Sequence, residues 1–101
     1  MNLLTKYLPN YNGYLQSIEY KKEKGILTII FCSNPEEFKP ILKLLFKEVA
    51  NFSSVQIDEH ENNYTELAIG FDLNSGVYLL HTDIREITFN ANSVEVVEII
   101  T

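Results

Sequence analysis

The chain has 101 residues, 46% of them hydrophobic and 22% charged, with a formal net charge of −6 and a sequence pI near 4.8. That length suits a single domain, residues 1–101, built on one core, and the apolar content argues against a disordered chain. The acidic balance argues against a nucleic-acid binder, which neutralises phosphates with Lys and Arg; the one cysteine, Cys32, rules out an intrachain disulfide, and no run approaches the ~18 apolar residues of a membrane span.

The opening stretch MNLLTKYLPNYNGYL has no long apolar run and no small-residue cleavage site, so the cytoplasm is the expected location. Seven Lys stand against one Arg, and Asn and Ile are plentiful, which suits AT-rich coding and a bacterial or phage source. Charge is uneven along the chain. Residues 1–50 hold seven Lys and five Glu, a net of +2, while residues 51–101 hold one Arg, six Glu and three Asp, a net of −8. Such an asymmetry reads either as a solvated acidic surface that keeps the protein in solution, or as two surfaces of which the acidic one would steer a basic partner.

In chain order, YLQSIEYKK at 14–22 and ILTIIFC at 26–32 read as strands, with EKG at 23–25 turning a hairpin between them. Residues 33–52, SNPEEFKPILKLLFKEVANF, admit two readings. Asn34, Pro35 and Glu37 could start a helix running over about 35–50, with Phe38, Ile41, Leu42, Leu45 and Val49 on one stripe, which would make the domain α+β. Pro40 opposes that helix at about 3 kcal/mol. The favoured reading is a short helical turn at 34–39 and then a strand through 41–49, with Leu42, Leu44 and Phe46 inward and Lys43 and Lys47 outward.

SSVQIDEHENNY at 53–64 reads as an exposed polar loop. TELAIGFDL at 65–73 then alternates with Leu67, Ile69, Phe71 and Leu73 on one face, NSG at 74–76 turns, and VYLLHT at 77–82 completes a second hairpin. REITFNA at 85–91 and VEVVEII at 94–100 extend it to an antiparallel meander. The expected fold is mainly β: a single antiparallel, twisted sheet of six or seven strands, curling into a sandwich or a partly open barrel, its edges guarded by Lys and Glu.

Several clusters invite a chemical reading. HTDIRE at 81–86 gathers a histidine, two acids and an arginine, but offers no nucleophile beside a base. It reads as a polar corner in which Asp83 accepts backbone N–H groups. Cys32, His60 and His81 could form a Cys–His enzyme, yet Cys32 ends an apolar strand, where a small buried hydrophobe belongs. DEHEN at 58–62 has neither zinc-ligand spacing nor the Gly and terminal Glu of a calcium loop. The four glycines form no phosphate-cradling loop. No catalytic, cofactor-binding or metal-binding residue is assigned.

KLLFKEVANFSS at 43–54 resembles a pattern in small bacterial β-rich proteins, where an apolar strand ends in Phe-x-x-Val and breaks into a Phe-Ser corner. VYLLHTDIREITFNANSVEV at 77–96 is similar to their closing meander. Spanning about half the chain, the likeness is to immunity proteins that neutralise secreted polymorphic toxins. It implies a small non-enzymatic binder and assigns no functional residue.

The functional expectation is therefore a small acidic binding protein whose protein partner, a toxin if the resemblance holds, presents a basic surface. Asp58, Glu59, Glu61 and Glu66 would form the charged rim, with Tyr64 as the anchor. An inhibitor from a phage or mobile element, or a DNA mimic, would need a denser array of carboxylates. A Cys/His enzyme ranks below both. No sequence pattern sets the oligomeric state.

Overall fold

The structure, a computed structural model, describes residues 3–7, 13–32, 40–57 and 66–98. A single helical turn, α1 (Leu3–Tyr7), precedes eight strands: β1 (Tyr14–Lys21), β2 (Ile26–Cys32), β3 (Pro40–Lys47), β4 (Ala50–Gln56), β5 (Glu66–Asn74), β6 (Val77–Thr82), β7 (Arg85–Asn90) and β8 (Ser93–Glu98). They form one antiparallel sheet in the order β4-β7-β6-β5-β1-β2-β3-β8. The mainly β expectation holds. The sheet is not closed into a barrel, since β4 and β8 end it on either side.

The sheet is folded on itself. Eight flat strands at about 4.8 Å spacing would make a slab only ~10 Å thick. The molecule instead measures 33 × 32 × 28 Å. The fold line lies between β1 and β5, whose paired residues among those described are Tyr14↔Leu67 and Leu15↔Glu66, with the Ala68 N–H also donating to the Gly13 carbonyl. On one side lies the half β1-β2-β3-β8; on the other, the half β5-β6-β7-β4.

Alternation fills the space between the halves. Leu27, Ile29 and Phe31 of β2 stand beside Phe46, Leu44 and Leu42 of β3, and all six are buried. From the other half come Phe71, Tyr78, Leu80, Ile87 and Phe89. Phe46 joins the two layers: its ring meets Phe89 at 4.8 Å, Tyr78 at 5.0 Å and Phe71 at 6.2 Å, each edge-on. Burial raises the Tyr78 phenol above its ordinary value of 10.0, with a smaller contribution from Tyr7.

β3 decides the ambiguous segment in favour of a strand, and the helix over 35–50 is excluded. Pro40 opens the strand, a position that tolerates a missing backbone donor. The helical turn proposed for 34–39 lies outside the described residues. β4 corrects the reading of residues 53–57 as loop, and brings the strand count to eight. The chain turns at Glu48–Val49 rather than at a Phe-Ser corner, and Phe52 and Ser53 lie within β4.

β8 corrects the simple meander. It leaves β7 and pairs with β3 in the other half. Two bent strands, β3–β4 and β7–β8, thus run beside each other around one corner, from Lys47↔Ser93 to Ala50↔Asn90. At the bend the Asn92 N–H donates to the Lys47 carbonyl at 3.1 Å, and its side-chain amide donates to Glu48. Glu48 and Asn51 take left-handed φ values of 54° and 56°, which turn the outer strand through the corner.

Candidate functional site

The HTDIRE segment forms a hydrogen-bonded corner. β6 ends at Thr82, and the chain reverses over Asp83 and Ile84 into β7. Thr82 is fully buried; its hydroxyl donates to Glu66 Oε2 and accepts the Arg85 N–H at 3.0 Å and the Ile84 N–H at 3.3 Å. Arg85 Nε donates to the same Glu66 oxygen at 2.8 Å. Asp83 Oδ1 accepts the Leu67 N–H at 3.1 Å, and the Asp83 N–H returns to the Leu67 carbonyl. These bonds fasten the β6–β7 turn to the start of β5.

Glu66 is therefore not part of an exposed rim. It is 8% exposed, with its charge met by Arg85. The reason is a bulge in β5 between Ala68 and Gly70. Glu66, Ala68 and Phe71 are buried, whereas Ile69, expected inward, is 51% exposed. One extra residue moves the strand's parity from one face to the other. Asp58, Glu59, Glu61 and Tyr64 lie outside the described residues; the segment that carries them joins Ile57, just past β4, to Glu66, the first residue of β5.

Cys32 is fully buried, and His81 lies half-buried, its Nδ1 3.4 Å from Glu86 Oε1. Among the described residues no three His, Cys, Asp or Glu side chains converge as metal ligands would, and no helix is long and apolar enough to cross a membrane.

The outer face of the half β5-β6-β7-β4 has a different character. Register sets its rows. Val55, Glu86, His81 and Gly70 form one row across four strands; Ser53, Thr88, Leu79 and Asp72 form the next. Five of the seven exposed large apolar side chains among the described residues belong to this half or its margin: Val55, Ile57, Ile69, Leu73 and Val77. Its formal charges are Glu66, Asp72, Asp83, Arg85 and Glu86; the Glu66–Arg85 pair cancels, and the sum is −3. The opposite half, with its turns, balances Lys21, Lys22, Lys24, Lys43 and Lys47 against Glu19, Glu23, Glu48, Glu95 and Glu98. β8 brings Glu95 and Glu98 into the Lys-bearing half, so folding moderates the charge asymmetry but keeps its direction.

Sequence reasoning missed Val55, Ile57 and Ile69. The available signals were Gly70 inside a strand, a common mark of a bulge, and the uncharged run from Ala50 to Ile57. No family model matches the chain, and no curated protein does. Among solved structures it is similar to the crystal structure of an uncharacterized protein from Neisseria gonorrhoeae, with a TM-score of 0.59 and 13% identity over 88% of this chain and 93% of that one. At that identity the likeness is one of fold, extending over most of both chains.

Proposed function

We propose that the protein is a small bacterial, non-enzymatic binding module of the immunity type, acting in the cytoplasm on a protein partner with a basic surface. The observation that carries this reading is the coincidence of exposed apolar side chains with a formal charge of −3 on one half of the sheet. Ile69 and Val77 supply apolar contact, and Asp72, Asp83 and Glu86 supply the charge. The acidic segment with Asp58, Glu59 and Glu61 is tethered to this same half at both ends. Apolar contact would hold the partner, while the acids would steer its approach and select its sign.

The test is a tagged pull-down at low and high salt, followed by binding of the recovered partner to an Ile69→Lys, Val77→Lys variant. A stoichiometric basic partner, released by salt and bound more weakly by that variant, supports the reading. A partner that binds the variant as tightly as the parent chain would move the interface elsewhere.

A further inference from the structure

We propose that β8 exchanges between two copies of this chain. It leaves β3 of its own molecule, the bend at Ala91 and Asn92 opens, and β8 pairs with β3 of the second copy, whose own β8 takes the vacated place. The strand is lightly held. Among the described residues it pairs with β3 alone, at the end of the sheet. None of its described side chains belongs to the buried core: Val94 packs against that core, while Val96 and Val97 are 43% and 39% exposed. β3 is the opposite case, with Leu42, Leu44 and Phe46 all buried. Detaching β8 therefore breaks a ladder of six residues and exposes little of its own apolar surface. Segments of that kind open at low free energy.

The hinge is short and polar. Ala91 and Asn92 alone join β7 to β8, and Asn92 is exposed. The bend is fastened by the two bonds that Asn92 donates, to the Lys47 carbonyl and to the Glu48 side chain. A link this short gives a released β8 few places to go except onward from β7, where it meets a neighbouring molecule.

The register selects a second copy as the occupant. Paired with β3, β8 sets Val94 and Val96 opposite Phe46 and Leu44 on the side of the core. On the outer side Ser93, Glu95 and Val97 stand opposite Lys47, Leu45 and Lys43, which places Glu95 diagonally between the two lysines. An identical β8 brings the same apolar alternation and the same acid to the same place. Exchange thus remakes every β3–β8 pairing and adds no like charge at that edge. It involves the half opposite the binding face proposed above, and does not depend on that face.

Cross-linking tests this with Leu45→Cys in one chain and Glu95→Cys in another. The two positions are partners across the β3–β8 ladder, where antiparallel Cα atoms lie about 4.5–5.5 Å apart, within reach of a disulfide. The native Cys32 is fully buried. The single variants are mixed, unfolded in urea, refolded together at ~1 mM chain, where a second molecule competes with the effective concentration of a short link, and then oxidised. Exchange predicts a covalent species of twice the 11.7 kDa chain mass in the mixture, and its loss when either variant is treated alone. A chain carrying both substitutions, oxidised at high dilution, locks β8 onto its own β3. That locked chain should sediment as a monomer at the concentration where wild type shows dimer, with the same β spectrum by circular dichroism. A wild type that stays monomeric throughout the concentration series overturns the proposal. So does a dimer that persists in the locked chain, or one that yields no disulfide in the mixture.

Discussion

Thr82 shows how much one hydroxyl can hold. It donates to Glu66 and accepts from two backbone N–H groups, with no exposure to water. Thr82→Val keeps the shape and removes all three bonds, so about 2–3 kcal/mol of stability should be lost in urea unfolding. Thr82→Ser keeps the hydroxyl and loses only a buried methyl, a cost of about 1 kcal/mol. Equal losses in the two variants would take the hydroxyl out of the account. Tyr78 gives a prediction of a different kind. Burial raises its pKa in the folded state above the ordinary 10.0, so folding favours the neutral phenol. Its contribution is complete below about pH 10 and is lost as pH rises through the raised folded value. Tyr78→Phe should therefore be less sensitive to alkaline unfolding than the parent chain, measured as the slope of stability against pH above 10. Neither role could be read from composition. Glu66 and Glu86 look alike in the sequence, and only a bulge five residues from one end of β5 sends the first inward while the second stays on the outer face.

At the scale of elements, the hairpins were the most legible parts. β1–β2 and β5–β6 pair as the turn residues imply, although the bulge at Ala68–Gly70 breaks the expected alternation of β5. The second turn is tight: Ser75 and Gly76 take φ values of 51° and 82°, both left-handed, as the two central positions of a type I′ turn require. Glycine adopts that geometry freely, whereas serine does so under strain. Ser75→Asn should therefore stabilise the fold by about 0.5 kcal/mol, seen as a higher urea midpoint with unchanged slope. β3 was legible because Pro40 counts heavily against a helix and because Leu42, Leu44 and Phe46 alternate with Lys43 and Lys47. β4 was not. As an edge strand with Ser53, Ser54 and Gln56, it lacks the buried alternation that identifies a strand, and its pairing with β7 is settled by the corner rather than by its own residues. The partner of β8 was hidden for the same reason: short connections suggest neighbours, but the bend at Asn92 carries the chain to the other half.

For the molecule as a whole, charge is the property with the longest reach. The acid-bearing residues 58–61 join two strands of the half that already sums to −3. Neutralising Asp58→Asn, Glu59→Gln and Glu61→Gln together should slow association with the basic partner proposed above and flatten its salt dependence, while leaving dissociation nearly unchanged. Stopped-flow mixing at several ionic strengths would measure this, and an unchanged on-rate would remove the segment from the interface. The candidate surface was only partly visible beforehand. Sequence carried the sign of the charge, but which apolar residues stand outside depended on the bulge at Ala68–Gly70 and on β4 lying at an edge.

The route by which β8 reaches β3 also bears on how the chain is made. Translation proceeds from β1 toward β8, so β3 leaves the ribosome well before the strand that will cover its outer side. During that interval Leu42, Leu44 and Phe46 belong to an apolar strand with one side unpaired, while β4 to β7 are still being added. A nascent chain arrested before residue 93 would present that strand to any neighbour on the same polysome, and would be a natural client for a holdase chaperone. Slow codons placed late in the message would lengthen this vulnerable window, and fast ones would shorten it.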